Sequence, residues 1–249
     1  MSGHSKWATT KRKKARIDQA RAKSWTRVIK EISVAARLGG DDPDGNPRLR
    51  LAVVKAKAAN MPAKNIETAI QKGAGKLDGA NYEEILYEGY GPAGVAILLE
   101  CMTDNKNRTV GEIRNAFAKN NGNMAENGSV AWMFEEKGKV VVTGVKWTED
   151  EATEFALDVG GDDVQPGEED GEWEIYTDPN DLAPVTKAVE AKGLSITDST
   201  FVRLPKNIVK VSDEDAPKVI KLMELLDDLD DVQNLFANFE LSEAALEAE

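Results

Sequence analysis

One glycine-rich stretch, EGYGPAGV, has the spacing of a nucleotide-binding loop. Gly89, Gly91 and Gly94 match G-x-G-x-x-G, a pattern in which glycines let the backbone approach a pyrophosphate. Such a loop must follow a strand and open a helix, so that the helix amino terminus meets the phosphates. Here an apolar, strand-like run follows the glycines, and Pro92 lies between them. The stretch therefore predicts a tight turn that leads into a strand, and no dinucleotide site.

A second stretch, DDPDGNP, begins like a calcium loop. Counted from Asp42, Asp44 and Asn46 take the third and fifth positions, but Pro47 and Val53 occupy the positions where an EF-hand needs Gly and Glu. The tripeptide GKL lacks both the upstream glycine and the Ser or Thr of a phosphate-binding P-loop. We therefore expect neither a calcium loop nor a P-loop.

Catalytic and metal-ligating residues are also scarce. His4 is the only histidine, which leaves no material for a histidine-based triad or a histidine-rich metal site. The run ELLDDLDDVQ alternates leucines with Asp227, Asp228, Asp230 and Asp231, a pattern typical of a solvated helix end. The sequence predicts a protein that is not an enzyme and that needs no metal and no cofactor.

The charge is distributed very unevenly along the chain. The net charge is −12, yet the first thirty residues contain ten Lys and Arg and one acid, Asp18. Residues 1–72 have a balance of +11 and the remaining 177 residues a balance of −23. Such an asymmetry indicates an anionic partner for the basic end, and a nucleic acid is the natural candidate.

Composition also indicates where the protein works. A single cysteine, Cys101, lies in an apolar run and excludes an intrachain disulfide, so we expect a reducing, cytoplasmic location. No stretch approaches the 18 or so consecutive apolar residues of a membrane span, and the polybasic start lacks the apolar core of a secretory signal. We expect no membrane partner and, without a sustained heptad, a monomer.

The predicted binding residues lie on a basic arm, which is the sequence before the first helix, and on that helix itself. A helix over about 15–38 would place its apolar residues on one side and a stripe of cations on the other. The stripe is nearly all Lys and Arg, with no Asn or Gln among its outward positions to read adenine, which favours phosphate contacts over base readout. His4 and Trp7 are able to stack on bases or sugars. The predicted nucleic-acid-binding residues are His4, Lys6, Trp7, Lys11, Arg12, Lys13, Lys14, Arg16, Lys23, Arg27, Lys30 and Arg37.

Local signals define three helices near the amino terminus. Gly39-Gly40 ends the first, Asn46 caps a second that starts at Pro47, and Pro62 starts a third. The second helix is expected to direct Arg48 outward. Residues 1–75 therefore form a predicted basic three-helix domain.

After a linker the hydrophobic period changes to that of strands. We predict a strand in GVAILLECM, a helix in RTVGEIRNAFAKNNG with a Thr109–Glu112 capping box, and a strand in SVAWMFEE. The following segment has the β-α-β-β-α-β order of a ferredoxin-like unit, and the last segment adds a helix and a strand. The predicted fold class is α+β, with the helical domain followed by two ferredoxin-like α/β domains, the second inserted into the first. The predicted limits are 76–135 plus 206–240 for the discontinuous domain, 136–205 for the inserted one and 241–249 for an acidic tail.

Several long motifs resemble those of the YebC/PmpR family. They are GHSKWA, GGDDPDGNPRLRLAVVKAKAANMPAKNIETAI, YEGYGPAGVAILLECMTDNKNRT, GSVAWMFEEKG and LDDLDDVQNLFANFE, and together they span nearly the whole chain. The resemblance implies one helical and two α/β domains, a cytoplasmic DNA-binding regulator of transcription, and no catalytic residues. It points to His4, Lys6 and Trp7 and to basic residues of the first helix for binding. The arm TTKRKKARIDQARAKSW differs from that of many relatives, although its charge is kept.

Three hypotheses about function remain open at this point. The first is a DNA-binding transcriptional regulator, and the second is a translation factor that binds ribosomal RNA through the same residues and relieves stalling, as the resemblance implies for some relatives. The third is an acidic adaptor that binds a protein through its α/β domains while the basic helix folds against them. The sequence names no target sequence and no regulated gene.

Overall fold

The computed structural model describes residues 17–167, 169–242 and 245, with side chains described from residue 23 onward. The described chain divides into two compact units. One contains the described residues up to Phe134 and those from Pro205, and the other is Glu135–Leu204. The helices that the sequence assigns to a domain of their own belong to the first unit. No helix in the described part of the chain is long and apolar enough to cross a membrane.

Three helices come first, and the rest of the chain mixes strands with helices. In chain order the helices are α1 (Ile17–Gly39), α2 (Pro47–Ala58), α3 (Ala63–Gly73), α4 (Lys106–Lys119), α5 (Glu149–Asp158), α6 (Leu182–Ala191) and α7 (Ala216–Asp227). The strands are β1 (Glu83–Tyr90), β2 (Ala96–Thr103), β3 (Asn123–Ala125), β4 (Phe134–Thr143), β5 (Asp163–Pro166), β6 (Trp173–Thr177), β7 (Ser195–Pro205), β8 (Val209–Lys210), β9 (Val232–Ala237) and β10 (Phe239–Glu240).

Helices α1, α2 and α3 pack around a small apolar core that includes Ile32, Leu49 and Ile66. The predicted start of α2 is confirmed: Pro47 is its first residue, and the Asn46 side chain accepts the Leu49 N–H at 3.1 Å. Helix α3 approaches α1 so closely that a side chain at Gly73 would meet the Ser33 backbone. This close packing gives α1 a fixed position on the other two helices.

The first unit also contains an antiparallel sheet of order β3-β1-β2-β9, with α4 and α7 contributing to the core on one of its faces. That core includes Ile97, Leu99, Phe117 and Leu222. The short strands β8 and β10 pair in parallel. After the three helices the unit continues with the β1–β2 hairpin, so the sequence order of its sheet elements is not the β-α-β-β-α-β of a ferredoxin-like unit.

Strand β1 was missed by the sequence analysis, and the predicted strand SVAWMFEE is wrong before Phe134. Tyr87 of β1 packs in the large core, whereas its neighbour Leu86 packs on the opposite face of the sheet. A strand covered on both faces shows no alternation of apolar and polar residues, which removes the signal that would identify it. Instead of a strand, Ala131–Met133 forms a turn of 3-10 helix before β4.

The helix α4 begins earlier than predicted, which corrects the proposed Thr109–Glu112 capping box. Asn105 is the N-cap, and its side chain accepts the Arg108 N–H at 3.1 Å. Thr109 therefore lies in the first turn of the helix and is fully buried. Its hydroxyl donates to the carboxylate of Asp231 at 2.7 Å.

The second unit has the predicted β-α-β-β-α-β order. Its sheet has the order β5-β6-β4-β7, and its antiparallel pairs β4–β6 and β5–β6 fit a ferredoxin-like arrangement. Its core contains Val140, Trp173, Ile175 and Val185. The fold class is confirmed as mixed α and β, with amino-terminal helices followed by β-sheet domains.

A buried carboxylate holds the loop that follows β3. Glu88 of β1 is 2% exposed, and its carboxylate accepts the backbone N–H groups of Gly128, Val130 and Ala131 at 2.6, 2.6 and 2.9 Å. Burial alone would raise the pKa of Glu88, but these hydrogen bonds outweigh burial and lower it. The loop therefore depends on a charged side chain that the sheet buries.

We expect Glu88→Gln to destabilise the first unit by about 1–3 kcal/mol, because an amide cannot accept from all three N–H groups as strongly as a carboxylate. Since the folded-state pKa is lowered, the contribution of Glu88 is present above its ordinary pKa and is lost as the pH falls through the folded value. Urea unfolding at neutral pH measures the loss. An unchanged midpoint would contradict the role given to Glu88, and Glu126→Gln, an exposed carboxylate nearby, serves as the control.

Candidate nucleic-acid interface

Eight of the twelve predicted binding residues lie outside the described residues, so their prediction remains untested. The other four are on α1, and the structure describes their contacts. The undescribed ones are His4, Lys6, Trp7, Lys11, Arg12, Lys13, Lys14 and Arg16.

Two cations of α1 are paired with the acidic end of α7. The Lys23 Nζ lies 2.9 Å from Asp228 Oδ1 and 3.5 Å from Asp227 Oδ2. The Arg27 Nη2 donates to Asp227 twice, to Oδ1 at 2.8 Å and to the carbonyl oxygen at 2.7 Å. The side chains of Lys23 and Arg27 are 22% and 26% exposed, so water still reaches both pairs.

A third cation, Lys30, is buried. Its Nζ donates to Asp231 Oδ1 at 2.6 Å and to the Asp230 carbonyl oxygen at 2.7 Å, and it lies 5.5 Å from the centre of the Tyr82 ring. The side chains of this ion pair are only 6% and 3% exposed. Lys30 therefore has an internal partner and presents almost no surface to a ligand.

Asp231 is the centre of a buried polar network. While Oδ1 accepts from Lys30, Oδ2 accepts from Thr103 Oγ1 at 3.0 Å, Thr109 Oγ1 at 2.7 Å and Arg108 Nη2 at 2.8 Å. Burial by itself would raise the pKa of Asp231, but the hydrogen bonds from Lys30, Arg108 and Thr109 lower it to about 2. The carboxylate is thus charged and fully satisfied, which is the condition for a buried ion pair to be tolerated.

These contacts show that three cations of the predicted stripe have carboxylate partners within the protein. A helical wheel shows which side of α1 is apolar, and it correctly opposes Lys23, Arg27 and Lys30 to that side. It does not show that segment 227–231 covers the opposite side. The expectation that ELLDDLDDVQ is a solvated helix end is wrong for Asp231, which is buried. Asp227 and Asp228 are partly solvated, but they also form ion pairs with α1, which the sequence pattern does not indicate.

Arg37 is the predicted residue of α1 that remains on the surface. It is exposed, and its Nη1 donates to the Asn81 side chain. Because Asn81 is neutral, this contact does not compensate the guanidinium charge. The prediction that Arg37 contacts phosphate stays a prediction.

Arg48 is a residue whose role the sequence analysis missed. Its guanidinium makes a two-point contact with Glu31 at 2.6 and 3.0 Å and contacts Glu84 of β1 at 2.7 Å. Burial would lower the pKa of Arg48, but the hydrogen bonds to both carboxylates raise it. The side chain predicted to point to solvent therefore connects α1, α2 and the sheet.

The described residues contain no group of three or more His, Cys, Asp or Glu side chains that could hold a metal ion. The carboxylates of Asp227, Asp228 and Asp231 face amines, a guanidinium and hydroxyls. What the site offers chemically is charge: α1 carries cations, some of them compensated internally, and the sequence before α1 is a basic arm that lies outside the described residues.

Comparisons with known proteins cover nearly the whole chain. Residues 5–76 match a family model described as the TACO1/YebC protein N-terminal domain, and residues 82–239 match one described as the TACO1/YebC second and third domain. A "probable transcriptional regulatory protein" of Desulfotalea psychrophila is 54% identical over 248 residues, covering 99% of this chain and 98% of that protein. A protein of the same description from Geobacter sulfurreducens is 52% identical over 247 residues, with 99% of each chain covered.

A solved structure is also similar. The crystal structure of a conserved hypothetical protein from Aquifex aeolicus superposes with a TM-score of 0.84 at 47% sequence identity. The match covers 92% of this chain and 94% of that one. The helical start and the β-sheet domains are thus shared with a protein whose structure was determined experimentally.

We expect Asp231→Asn to cost about 3–5 kcal/mol of unfolding free energy, because it leaves the Lys30 ammonium buried without its counter-ion. The exposed neighbour Asp230 provides a matched control, since Asp230→Asn removes the same charge but no described side-chain ion pair, and it should change stability by less than about 0.5 kcal/mol. Denaturant unfolding at pH 7 measures both. Equal effects would show that Asp231 is not the anchor of α1.

The low pKa of Asp231 also predicts how stability depends on pH. A change from 3.8 in the unfolded chain to about 2 in the folded protein contributes about 2 kcal/mol. That contribution is fully present above about pH 4 and disappears as the pH falls through about 2. The difference in stability between the wild type and Asp231→Asn should therefore shrink by about 2 kcal/mol on going from pH 7 to low pH, and a difference that does not change with pH would contradict the assignment.

Proposed function

This chain belongs to the TACO1/YebC family, and on that premise we propose that it is a non-enzymatic regulator of transcription that binds the phosphate backbone of duplex DNA. The resemblance expected from the sequence motifs is confirmed by the two family matches. Its relatives from Desulfotalea psychrophila and Geobacter sulfurreducens bear the name of transcriptional regulators, which supports a regulatory role.

The observation that carries the proposal is the concentration of positive charge in the sequence before α1. Residues 1–16 contain six Lys and Arg and no acid. Three cations of α1, Lys23, Arg27 and Lys30, have carboxylate partners within the protein. The cations that the proposal leaves for phosphates are therefore those of the arm and Arg37 at the other end of α1. We assign direct phosphate contact to these residues and a structural role to Lys30.

The rest of the chain restricts how DNA approaches. Residues after 72 carry a balance of −23, so they repel a polyanion and direct it to the amino-terminal end. Binding at that end releases counterions from the DNA, which gives an affinity that falls steeply with salt. His4 and Trp7 add groups that stack on sugars or bases. Sequence-independent backbone contact is the expected mode.

One observation favours a second candidate, the adaptor. In that hypothesis the basic helix folds against the body, and Lys23, Arg27 and Lys30 indeed contact segment 227–231. The adaptor hypothesis requires in addition that nucleic-acid affinity be independent of the amino-terminal residues. The two hypotheses therefore make different predictions for variants of the arm.

We expect a variant with Ala at Lys11, Arg12, Lys13 and Lys14 to bind duplex DNA at least tenfold more weakly at about 0.1 M salt. Its log affinity should also fall less steeply with log salt, by about 0.9 for each phosphate that the variant no longer neutralises. Fluorescence anisotropy of a labelled duplex across a salt series measures both quantities. The variant should keep the unfolding midpoint of the wild type.

A matched control removes the same four charges from elsewhere. Lys119, Lys146, Lys187 and Lys221 are exposed and have no ion pair among the described residues, so their replacement by Ala should leave the salt slope unchanged. If both variants weakened binding equally, the affinity would come from non-specific electrostatic attraction and not from contacts of the arm. An arm variant with full affinity would favour the adaptor, and tighter arm-dependent binding to ribosomal RNA than to duplex DNA would favour a translation factor.

A further inference from the structure

We propose that Lys23 and Arg27 form a second phosphate-binding surface that Asp227 and Asp228 cover in the free protein. DNA phosphates compete with the two carboxylates for these cations, and in the wild-type protein the carboxylates keep most of them. This inference rests on the proposed function and adds to it a contact by which the protein limits its own affinity. We call the four residues the masking contact.

The carboxylates of the masking contact stand where phosphates would bind. Asp228 is 2.9 Å from the Lys23 Nζ, and Asp227 is 2.8 Å from the Arg27 Nη2. These are the geometry and the charge of an ammonium or guanidinium paired with an oxyanion. Lys23 and Arg27 are separated by one helical turn, so they lie side by side on α1. A surface that accepts two adjacent aspartates has the chemistry to accept adjacent phosphates of a backbone.

The masking contact is accessible enough to exchange. The side chain of Asp228 is 68% exposed, and those of Lys23, Arg27 and Asp227 are between 22% and 26% exposed. Ion pairs that water reaches are weak, because solvent screens them and both side chains lose freedom. A polyanion that releases counterions on binding can therefore compete with them.

Arg27 is incompletely used in the masking contact. Both of its described hydrogen bonds involve Nη2, and its buried Nε has no partner among the described residues. A guanidinium binds oxyanions best through two parallel N–H groups. Asp227 does not provide such a pair to Arg27, whereas a phosphate with several oxygens can.

Opening the masking contact does not require α1 to move. The helix is held independently by the buried Lys30–Asp231 pair, by the Trp25 Nε1 donating to the Ala59 carbonyl at 2.9 Å, and by the Ser33 hydroxyl near the Ala69 carbonyl at 3.3 Å. Rotation of the Lys23 and Arg27 side chains is sufficient to change partners. Lys30 takes no part because it is buried.

The test compares two variants that remove the same charge. Asp227→Asn with Asp228→Asn uncovers Lys23 and Arg27, whereas Asp230→Asn with Glu214→Gln removes two exposed carboxylates that have no described ion pair. We expect the first variant to bind duplex DNA at least threefold more tightly at about 0.1 M salt. Its salt slope should be steeper by about 0.9 for each additional phosphate that it neutralises. The second variant should keep the wild-type slope.

Removing the uncovered cations should cancel the increase in affinity. Adding Lys23→Ala and Arg27→Ala to the Asp227→Asn, Asp228→Asn protein is expected to restore the wild-type salt slope. The same two alanines in the wild-type protein should change that slope little, since there the cations are already occupied. This dependence on background separates masking from a general loss of negative charge.

Two results would contradict the masking contact. If the double asparagine variant behaves like its control, or if the alanines fail to cancel its increase in affinity, the masking contact does not limit binding. If melting shows that the double variant is unfolded, Asp228→Asn alone, which removes the nearer of the two carboxylates from Lys23, should still steepen the slope, by up to about 0.9. Failure of the proposed function looks different: neither the wild type nor any unmasked variant then binds DNA in a way that depends on the arm.

Discussion

The structure of the first unit depends on the compensation of one buried charge, that of Asp231. The carboxylate lies at the junction of α7 and β9 and receives donors from α1, β2 and α4. An ion of this kind is tolerated in the interior only if every lone pair finds a donor of good geometry. All of these elements must therefore be in place together. The buried network specifies the position of α1 as well as stabilising it.

The cations of α1 differ in what they can do because their burial differs. Lys30 is enclosed and belongs to the fold, whereas Lys23 and Arg27 are partly open and paired with aspartates that water reaches. The arm before α1 has basic residues and no acidic ones. In the proposal made above, a single run of positive charge serves two purposes along its length, anchoring at one end and ligand binding at the other. The acidic composition of segment 227–231 fits the first purpose and limits the second.

The two compact units differ in how their charged side chains are used. The first combines the basic helices with acidic side chains that neutralise part of them, through Asp231 and through the Arg48 contacts to Glu31 and Glu84. The second, Glu135–Leu204, folds around its own apolar core in a ferredoxin-like order. Its many carboxylates add to the negative balance of the chain after residue 72. It contributes to function, in the proposal made above, by electrostatic exclusion.

Features encoded by neighbouring residues could be predicted from the sequence. Asn46 and Pro47 start α2, the glycines after residue 38 end α1, and the order of elements in the inserted unit follows from its apolar periods. The opposition of Lys23, Arg27 and Lys30 to the apolar side of α1 is also a local property, because it depends only on helical geometry. The charge asymmetry that indicates a polyanion needs no structure at all.

Only the tertiary structure decided which of those cations remain available. Lys30 and Asp231 are 201 residues apart, and no local pattern of charge or hydrophobicity connects them. The same is true of β1, where Tyr87 and Glu88 lie on faces that are both covered, so that the usual alternation is absent. The sequence determined that α1 is cationic opposite its apolar side; the fold determined that part of this charge is compensated from within, because burial and pairing arise from contacts between distant segments.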